Sequence, residues 1–563
     1  MNETFRVLFG LLGGLAIFIY GMNKMSDCLQ KAAGERMKSV LALLTRNPVM
    51  GVLAGAITTA VLQSSSATTV MAIGFVSAGL MSLPQAISII FGANIGTTMT
   101  AQIIAFNLSD YIFLIIFVGF AITLIAKSQK IKNIGETVFG FGLLFLGIET
   151  MGDVMKPLAS SPVFVDLIGK VADIPVLGLL LGTVMTLVVQ SSSATIAVLQ
   201  NFATQAGSDG VTSIIGLAGA IPILLGDNIG TTITAALASI GQKKDAKRAA
   251  LAHTLFNLSG ACLFIWFVKP YASLIQFISP KGPEVEVISR QIANAHTGFN
   301  ITMTLVWIPL IWLMVKIVKF IIPEKEDKFI MNPNQPVFLD DKLVNQPTVA
   351  LQLVAREILR CGGMVKEIIS KMERAMTKEE RNLLPQVVED AETVAQLNEK
   401  INEYLATMFS EGAMVEKQGA QAAGIMYVLC DMDRIAMLSR EICLNIKHVE
   451  KTSKKYSKDA MKDLRKAFGF IGDIYNDILA VLENGEELNE EKLQESKMKV
   501  VKLEHKLRKG HMERVEQGKC NAKLTGSFNA LIHNLDRMGN SCINLSDMIK
   551  TSDSFSNLLT FEK

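Results

Sequence analysis

Between Arg46 and Asp110 the chain contains no aspartate, glutamate, lysine or arginine. So long a stretch without ionised side chains is foreign to a water-exposed domain surface and suits lipid surroundings. The seven cysteines show no C-x-x-C or zinc-ligand spacing, which argues against a redox pair or zinc site and for buried free thiols in a reducing compartment. Met1 to Phe5 lacks a basic n-region, and no clear small-residue cleavage site follows the apolar run ending at Met22, so that run reads as a membrane span rather than a signal peptide. No serine triplet sits in a G-x-S-x-G elbow and no histidine is near one in sequence, which excludes a serine hydrolase unless His253 or His296 approaches in space. No glycine loop of the phosphate-cradling kind is present, and a net charge of +3 gives no argument for nucleic acid.

What is present divides in two. Half of the 563 residues are hydrophobic and 19% are charged, with the charges dense beyond Pro323. A membrane part and a soluble part follow.

Loop charges orient the membrane part. Phe5 to Met22 is long enough to span, and Lys24, Lys31, Arg36, Lys38 and Arg46 place the next loop in the cytoplasm, leaving the N-terminus outside. Pro48 to Leu83 reads as a re-entrant pair of half-spans turning at Gln63-Ser64-Ser65-Ser66. The alternative is one kinked helix whose serines bond back to their own carbonyls. Pro84 to Leu108 crosses outward with a break at Gly92–Thr98, and Tyr111 to Ala126 returns to Lys127, Lys130 and Lys132. Leu143 to Asp153 then repeats the pattern of Leu15 to Asp27, with Met151 and Asp153 where Met25 and Asp27 stood. The second copy runs the other way, through a hairpin at Val176 to Ala206 and a crossing at Ser213 to Ile240, to cytoplasmic Lys243, Lys244, Lys247 and Arg248. Spans near Ala249–Val268 and Thr297–Ile322 complete seven spans and two oppositely directed hairpins. The expected fold is all-α, with inverted repeats over 1–132 and 133–261 and further spans over 262–322. A linker over 323–347 precedes a cytoplasmic domain over 348–563, whose six amphipathic helices form two sets of three. Asp431-Met432-Asp433-Arg434-Ile435 is echoed there by Asn534-Leu535-Asp536-Arg537-Met538.

Two motifs recur inside the apolar runs. Gln63-Ser64-Ser65-Ser66-Ala67-Thr68 matches Gln190-Ser191-Ser192-Ser193-Ala194-Thr195, and Gly92-Ala93-Asn94-Ile95-Gly96-Thr97-Thr98 matches Gly226-Asp227-Asn228-Ile229-Gly230-Thr231-Thr232. Polar groups facing hydrocarbon without partners cost several kcal/mol each, on an approximate scale, so a polar ligand must meet them. Helix N-termini and the serine hydroxyls supply donors for a dehydrated anion. Side-chain oxygens, Asn94, Asn228 and freed carbonyls suit sodium. Asp227 stands where the first copy has Ala93, and reads as a cation ligand or as an N-cap of the following helix. The small residues around both motifs also suit close helix packing.

The doubled Q-S-S-S-A-T and G-x-N-I-G-T-T resemble the bacterial type II sodium/phosphate cotransporter family, and the soluble helices resemble the PhoU family. The resemblance implies sodium-coupled transport of inorganic phosphate by alternating access around a midplane site. Phosphate would meet Gln63, Ser64, Ser65, Ser66, Gln190, Ser191, Ser192, Ser193, Asn94 and Asn228. Sodium, the coupling ion, would meet Ser65, Thr68, Thr97, Thr98, Ser192, Thr195, Asp227, Thr231 and Thr232. No catalysis and no cofactor are implied, and no nucleic acid. The E/D-x-x-x-D metal motif common in PhoU proteins is interrupted, since Met437 follows Asp433 and Asn540 follows Asp536 at the fourth position. A regulatory role with a protein partner therefore fits the soluble part better than metal binding. Export, another oxyanion, or a membrane-anchored phosphate sensor are the alternatives.

Overall fold

A segment in lipid must satisfy its backbone groups internally, and the chain does so as helices. The computed structural model describes residues 3–42, 47–77, 79–106, 108–159, 170, 173–207, 209–323, 334–376, 380–411, 414, 416–451, 455–484 and 490–551. Among them the only extended pairing is one isolated bridge, Ala206 to Ser213. The chain forms two compact units, Met1–Glu326 and Asp327–Lys563.

The first unit runs α1 (Glu3–Ala42), α2 (Pro48–Leu62), α3 (Ser65–Ser77), α4 (Leu83–Ile104), α5 (Ile112–Ile125), α6 (Gln129–Ala159), α7 (Pro175–Val189) and α8 (Ser192–Ala203). It continues through α9 (Gly216–Gly230), α10 (Thr232–Ser239), α11 (Lys244–Phe264), α12 (Val268–Ile278), α13 (Glu284–Trp307) and α14 (Ile311–Ile321). The helices α1 and α6 cross in contact at reciprocal glycines. A Cβ on Gly14 would stand 2.9 Å from the Gly147 carbonyl oxygen and one on Gly21 2.6 Å from that of Gly140, so the two run antiparallel.

Among the described residues five helical runs are long and apolar enough to cross a membrane: Phe5–Leu29, Leu83–Ile104, Gln129–Lys156, Gly216–Ser239 and Lys244–Ile278. The pair α13 and α14 makes a sixth if its 84° bend is taken within one span. Pro309 explains that bend, because its ring removes a backbone donor and crowds the preceding turn. The seventh expected span, near 111–126, is only the 14-residue α5, begun by a 3₁₀ turn at Ser109–Tyr111.

The second unit runs α15 (Pro347–Ala375), α16 (Leu384–Ser410), α17 (Glu416–Lys451), α18 (Lys458–Asn484), α19 (Glu490–Glu516) and α20 (Thr525–Thr551). Apolar residues at helical spacing build its core, as along Val354, Ile358, Cys361, Val365, Ile368 and Met372 of α15, all at most 1% exposed. The echoed segments of α17 and α20 are core-facing: Met432, Ile435, Leu535 and Met538 are buried. At the interrupted metal motif the Asn540 amide donates to Asp536 Oδ2 at 3.1 Å. The chain from Asn334, inside the stretch expected as a linker, is fastened to this bundle. Glu357, fully buried, accepts the backbone N–H groups of Val337 and Phe338 at 2.9 Å each, and the Tyr404 hydroxyl donates to the Asp340 carbonyl at 2.9 Å.

Candidate functional site

Both Q-S-S-S segments interrupt a helix. Asn47 caps α2 by accepting the Met50 N–H at 2.9 Å, with Pro48 pre-set for the first turn. The helix stops where Gln63 turns left-handed, at φ 53° and ψ 25°. Its counterpart α7 stops at Gln190, at φ 55° and ψ 24°. These are the non-glycine residues with positive φ among the described residues, and each costs about 1–2 kcal/mol. Matched left-handed residues at matched positions mark a specified interruption of the helix in each copy. Ser64 and Ser191 cap the next helices, their Oγ atoms accepting the N–H groups of Ala67 at 3.2 Å and Ala194 at 3.3 Å. The first serine of each triplet thus has a structural task, while Ser65 and Ser193 are buried behind it.

The expected break at Gly92–Thr98 does not occur, because α4 is continuous from Leu83 to Ile104. Its glycines serve close approach instead. A Cβ on Gly92 would stand 2.0 Å from the Val52 carbonyl oxygen, and one on Gly226 2.0 Å from that of Leu179. Only the second copy breaks, at Thr231 between α9 and α10. Thr97, Thr98, Thr231 and Thr232 donate to carbonyls of their own turns, Ala93, Ile95, Asp227 and Ile229, at 2.8–3.1 Å. Their lone pairs stay available to a cation.

Side chains of the two motifs meet within each copy. The Thr59 and Thr68 hydroxyls are 2.9 Å apart, and those of Thr186 and Thr195 3.0 Å apart. Thr186 also donates to Asp227 Oδ1 at 2.6 Å. Asp227 is fully buried in the interior of α9 and reaches another helix, so the N-cap reading is excluded. Its Oδ2 has no partner among the described residues. Gln63 Oε1 accepts from Thr100 at 3.0 Å, and Thr234 lies 3.2 Å from Ser66 Oγ, linking the first tip to the second copy. The side chains of Gln190, Ser192 and Ser193 make no hydrogen bond among the described residues.

Two histidines far from the serine triplets in sequence sit directly on the motif asparagines. His253 Nε2 lies 3.0 Å from Asn94 Oδ1, and His296 Nε2 3.3 Å from Asn228 Oδ1. A carbonyl oxygen only accepts, so this arrangement puts the imidazole proton on Nε2 in both. With Oδ1 so engaged, the Asn94 amide nitrogen is buried with no partner among the described residues. The sequence does carry a signal for these residues: Ala252-His253-Thr254-Leu255-Phe256-Asn257 recurs as Ala295-His296-Thr297-Gly298-Phe299-Asn300. Both motifs also extend beyond their recognised ends, since Thr59 and Thr186 precede each glutamine by four residues, and Thr100 and Thr234 close each G-x-N-I-G-T-T-x-T. The Phe256 ring stacks on Phe91 at 4.6 Å, seating α11 against α4.

Comparison with known proteins agrees in both units. The family profile described as Na+/Pi-cotransporter matches twice in succession, over residues 17–153 and 152–279, and the PhoU domain profile matches residues 358–446. The uncharacterised YqeW of Bacillus subtilis is 31% identical over 319 residues, 57% of this chain and 99% of that protein. YjbB of Salmonella typhimurium, named as a candidate inorganic phosphate export protein, is 25% identical over 92% of this chain and 93% of its own length. The sodium-dependent phosphate transport protein 2A of Rattus norvegicus is 38% identical over 98 residues, 17% of this chain and 15% of that one. No solved structure matches.

Proposed function

Because the chain belongs to the Na+/Pi-cotransporter family and carries a PhoU domain behind the membrane unit, we propose that it transports inorganic phosphate across the cell membrane coupled to sodium. The two matched copies are inverted repeats, each with a re-entrant hairpin, moving by alternating access about a midplane site. The N-terminus is outside and the PhoU domain cytoplasmic, a reading that the positive loop charges support. What supports this reading is the pair of left-handed breaks at Gln63 and Gln190 between apolar helices, together with the buried Asp227 carboxylate, whose Oδ2 has no partner among the described residues.

The phosphate is held by neutral donors. No lysine or arginine occurs between Arg46 and Asp110, or between Lys170 and Lys243. Ser65, Ser66, Ser192 and Ser193 offer hydroxyls and Asn94 its free amide, while Gln63 and Gln190 end the half-spans beside them. Without a fixed cation the site releases its anion once sodium leaves. Sodium takes Asp227 with the hydroxyl oxygens of Thr195, Thr231 and Thr232, and in the first copy those of Thr68, Thr97 and Thr98. His253 and His296 are positioning residues that orient Asn94 and Asn228.

Phosphate uptake into proteoliposomes, with and without an inward sodium gradient, tests the reading. Uptake that requires the gradient is expected. A folded protein that is indifferent to sodium sinks it. Ser65→Ala and Ser192→Ala each remove one hydroxyl donor worth about 1–1.5 kcal/mol, so a loss of about tenfold in uptake is expected from each; wild-type uptake in both removes the tips from the site. His253→Ala is expected to raise the KM for phosphate more than His253→Gln, which can still donate to Asn94 Oδ1. Equal KM values in the two variants would return His253 to plain packing.

One observation favours a second reading, net export through the same site: the Salmonella relative that matches almost the whole chain carries an export name. Efflux from phosphate-loaded vesicles, faster than uptake at equal gradients, would select it.

A further inference from the structure

The PhoU unit holds a cleft of about 680 Å³, within the roughly 300–1,000 Å³ of small-molecule sites. It opens where α15 ends, α16 is approached through the 3₁₀ turn Arg381–Leu383, α17 ends and α18 begins. Its walls are basic: among the described lining residues Arg381, Lys455, Lys458, Lys462 and Arg465 stand against one carboxylate, Glu450. Glu450 is taken up by Arg381, and Arg465 has Glu373 at 3.6 Å. Lys455, Lys458 and Lys462 have no carboxylate partner among the described residues.

What sets this excess apart from a solvated helix face is that it lines one cavity. Some lysines elsewhere in the unit are singly paired with carboxylates, as Lys497 is with Asp547 at 2.8 Å and Lys492 with Asp477 at 2.5 Å. Here three lysines converge on one concavity, and like charges so arranged repel unless an anion joins them. Arg381 adds a second sign, since its Nε is buried without a partner among the described residues. The floor is different in kind: Met376, Val449, Met461 and the ring of Tyr456 line it, and the Tyr456 hydroxyl is held 2.7 Å from Ser527 Oγ.

From these features we infer that the cleft binds a soluble small molecule carrying a chain of phosphates. Several linked phosphates reach Lys455, Lys458, Lys462, Arg465 and Arg381 together, whereas one orthophosphate spans only part of the ring. Side chains, not a glycine loop, do the binding, which is why no phosphate-loop motif marks it. The same chemistry is offered by a nucleoside triphosphate and by inorganic polyphosphate, and the apolar floor distinguishes them by giving a base somewhere to lie. The site is separate from the membrane motifs, so a failure here leaves the transport reading standing.

The test is isothermal titration calorimetry on the full-length protein in detergent, in sodium-free buffer, with ATP, tripolyphosphate and orthophosphate as separate probes. Both polyphosphorylated probes are expected to bind at least about tenfold tighter than orthophosphate, with affinity falling as salt rises. Tighter binding of ATP than of tripolyphosphate identifies a nucleotide as the source, and equal binding identifies the phosphate chain alone. The double variant Lys458→Glu, Lys462→Glu is expected to lose both; both residues are exposed, and an unchanged melting profile shows that the bundle is intact. The inference is overturned if neither probe binds, if orthophosphate binds as tightly, or if the charge-reversed protein binds as well as the native one.

Discussion

An Asp227→Asn protein is expected to fold, to insert, and to lose its normal response to sodium. The carboxylate is fully buried, with Thr186 on Oδ1 at 2.6 Å and nothing on Oδ2 among the described residues. A buried charge with only one hydroxyl partner is a large penalty that a bound cation removes. Asparagine keeps the shape and still accepts from Thr186, so packing survives while the charge is lost. Exchanging a charged for a neutral ligand is worth about 1.5–3 kcal/mol, which moves the sodium concentration for half-maximal transport about ten- to a hundredfold upward. The KM for phosphate at saturating sodium should change far less. An unchanged sodium activation curve in Asp227→Asn would make Asp227 a packing residue.

The second large effect is structural. Gly226→Ala should prevent the membrane unit from assembling, because the new Cβ would lie 2.0 Å from the Leu179 carbonyl oxygen, and 2.8 Å from its carbon and from the Thr183 nitrogen. Those are backbone atoms of α7, not a side-chain tip that can swing aside. Gly92→Ala meets the same obstacle at Val52, 2.0 Å away. Overpacking commonly costs about 1–3 kcal/mol, and more where backbone must separate. Gly13→Ala is the control, since a Cβ there meets nothing within 4 Å. The readout is the monodisperse fraction and melting temperature in detergent: Gly13→Ala should match the native protein, and Gly226→Ala should give little folded material. Native melting of Gly226→Ala would show that α7 and α9 are not locked together as their contact implies.

Much of the architecture is legible in the sequence. Charge-free runs, dense charge beyond Pro323 and amphipathic periods announce a helical membrane part and a helical soluble part. Because periodicity is a local property, the described residues beyond 347 form the six long helices that the amphipathic periods predict. The doubled Q-S-S-S marks both helix breaks, because consecutive polar residues inside an apolar run are costly unless the chain turns or meets a polar partner there. Gly92–Thr98 misleads, because glycine next to asparagine reads as a break when the reason for glycine is a neighbouring backbone.

Class, duplication and the polar segments all follow from composition or from pattern along the chain. The partners of those segments do not. Asn94 and His253 are 159 residues apart in the chain and 3.0 Å apart in space, and Asp227 meets Thr186 across two helices. The basic cleft is lined from three parts of the chain: Met376 and Arg381, Val449 and Glu450, and residues between Lys455 and Arg465. Hydrogen bonds and charge repulsion act over a few ångströms, and only the packing of helices brings such residues within that range.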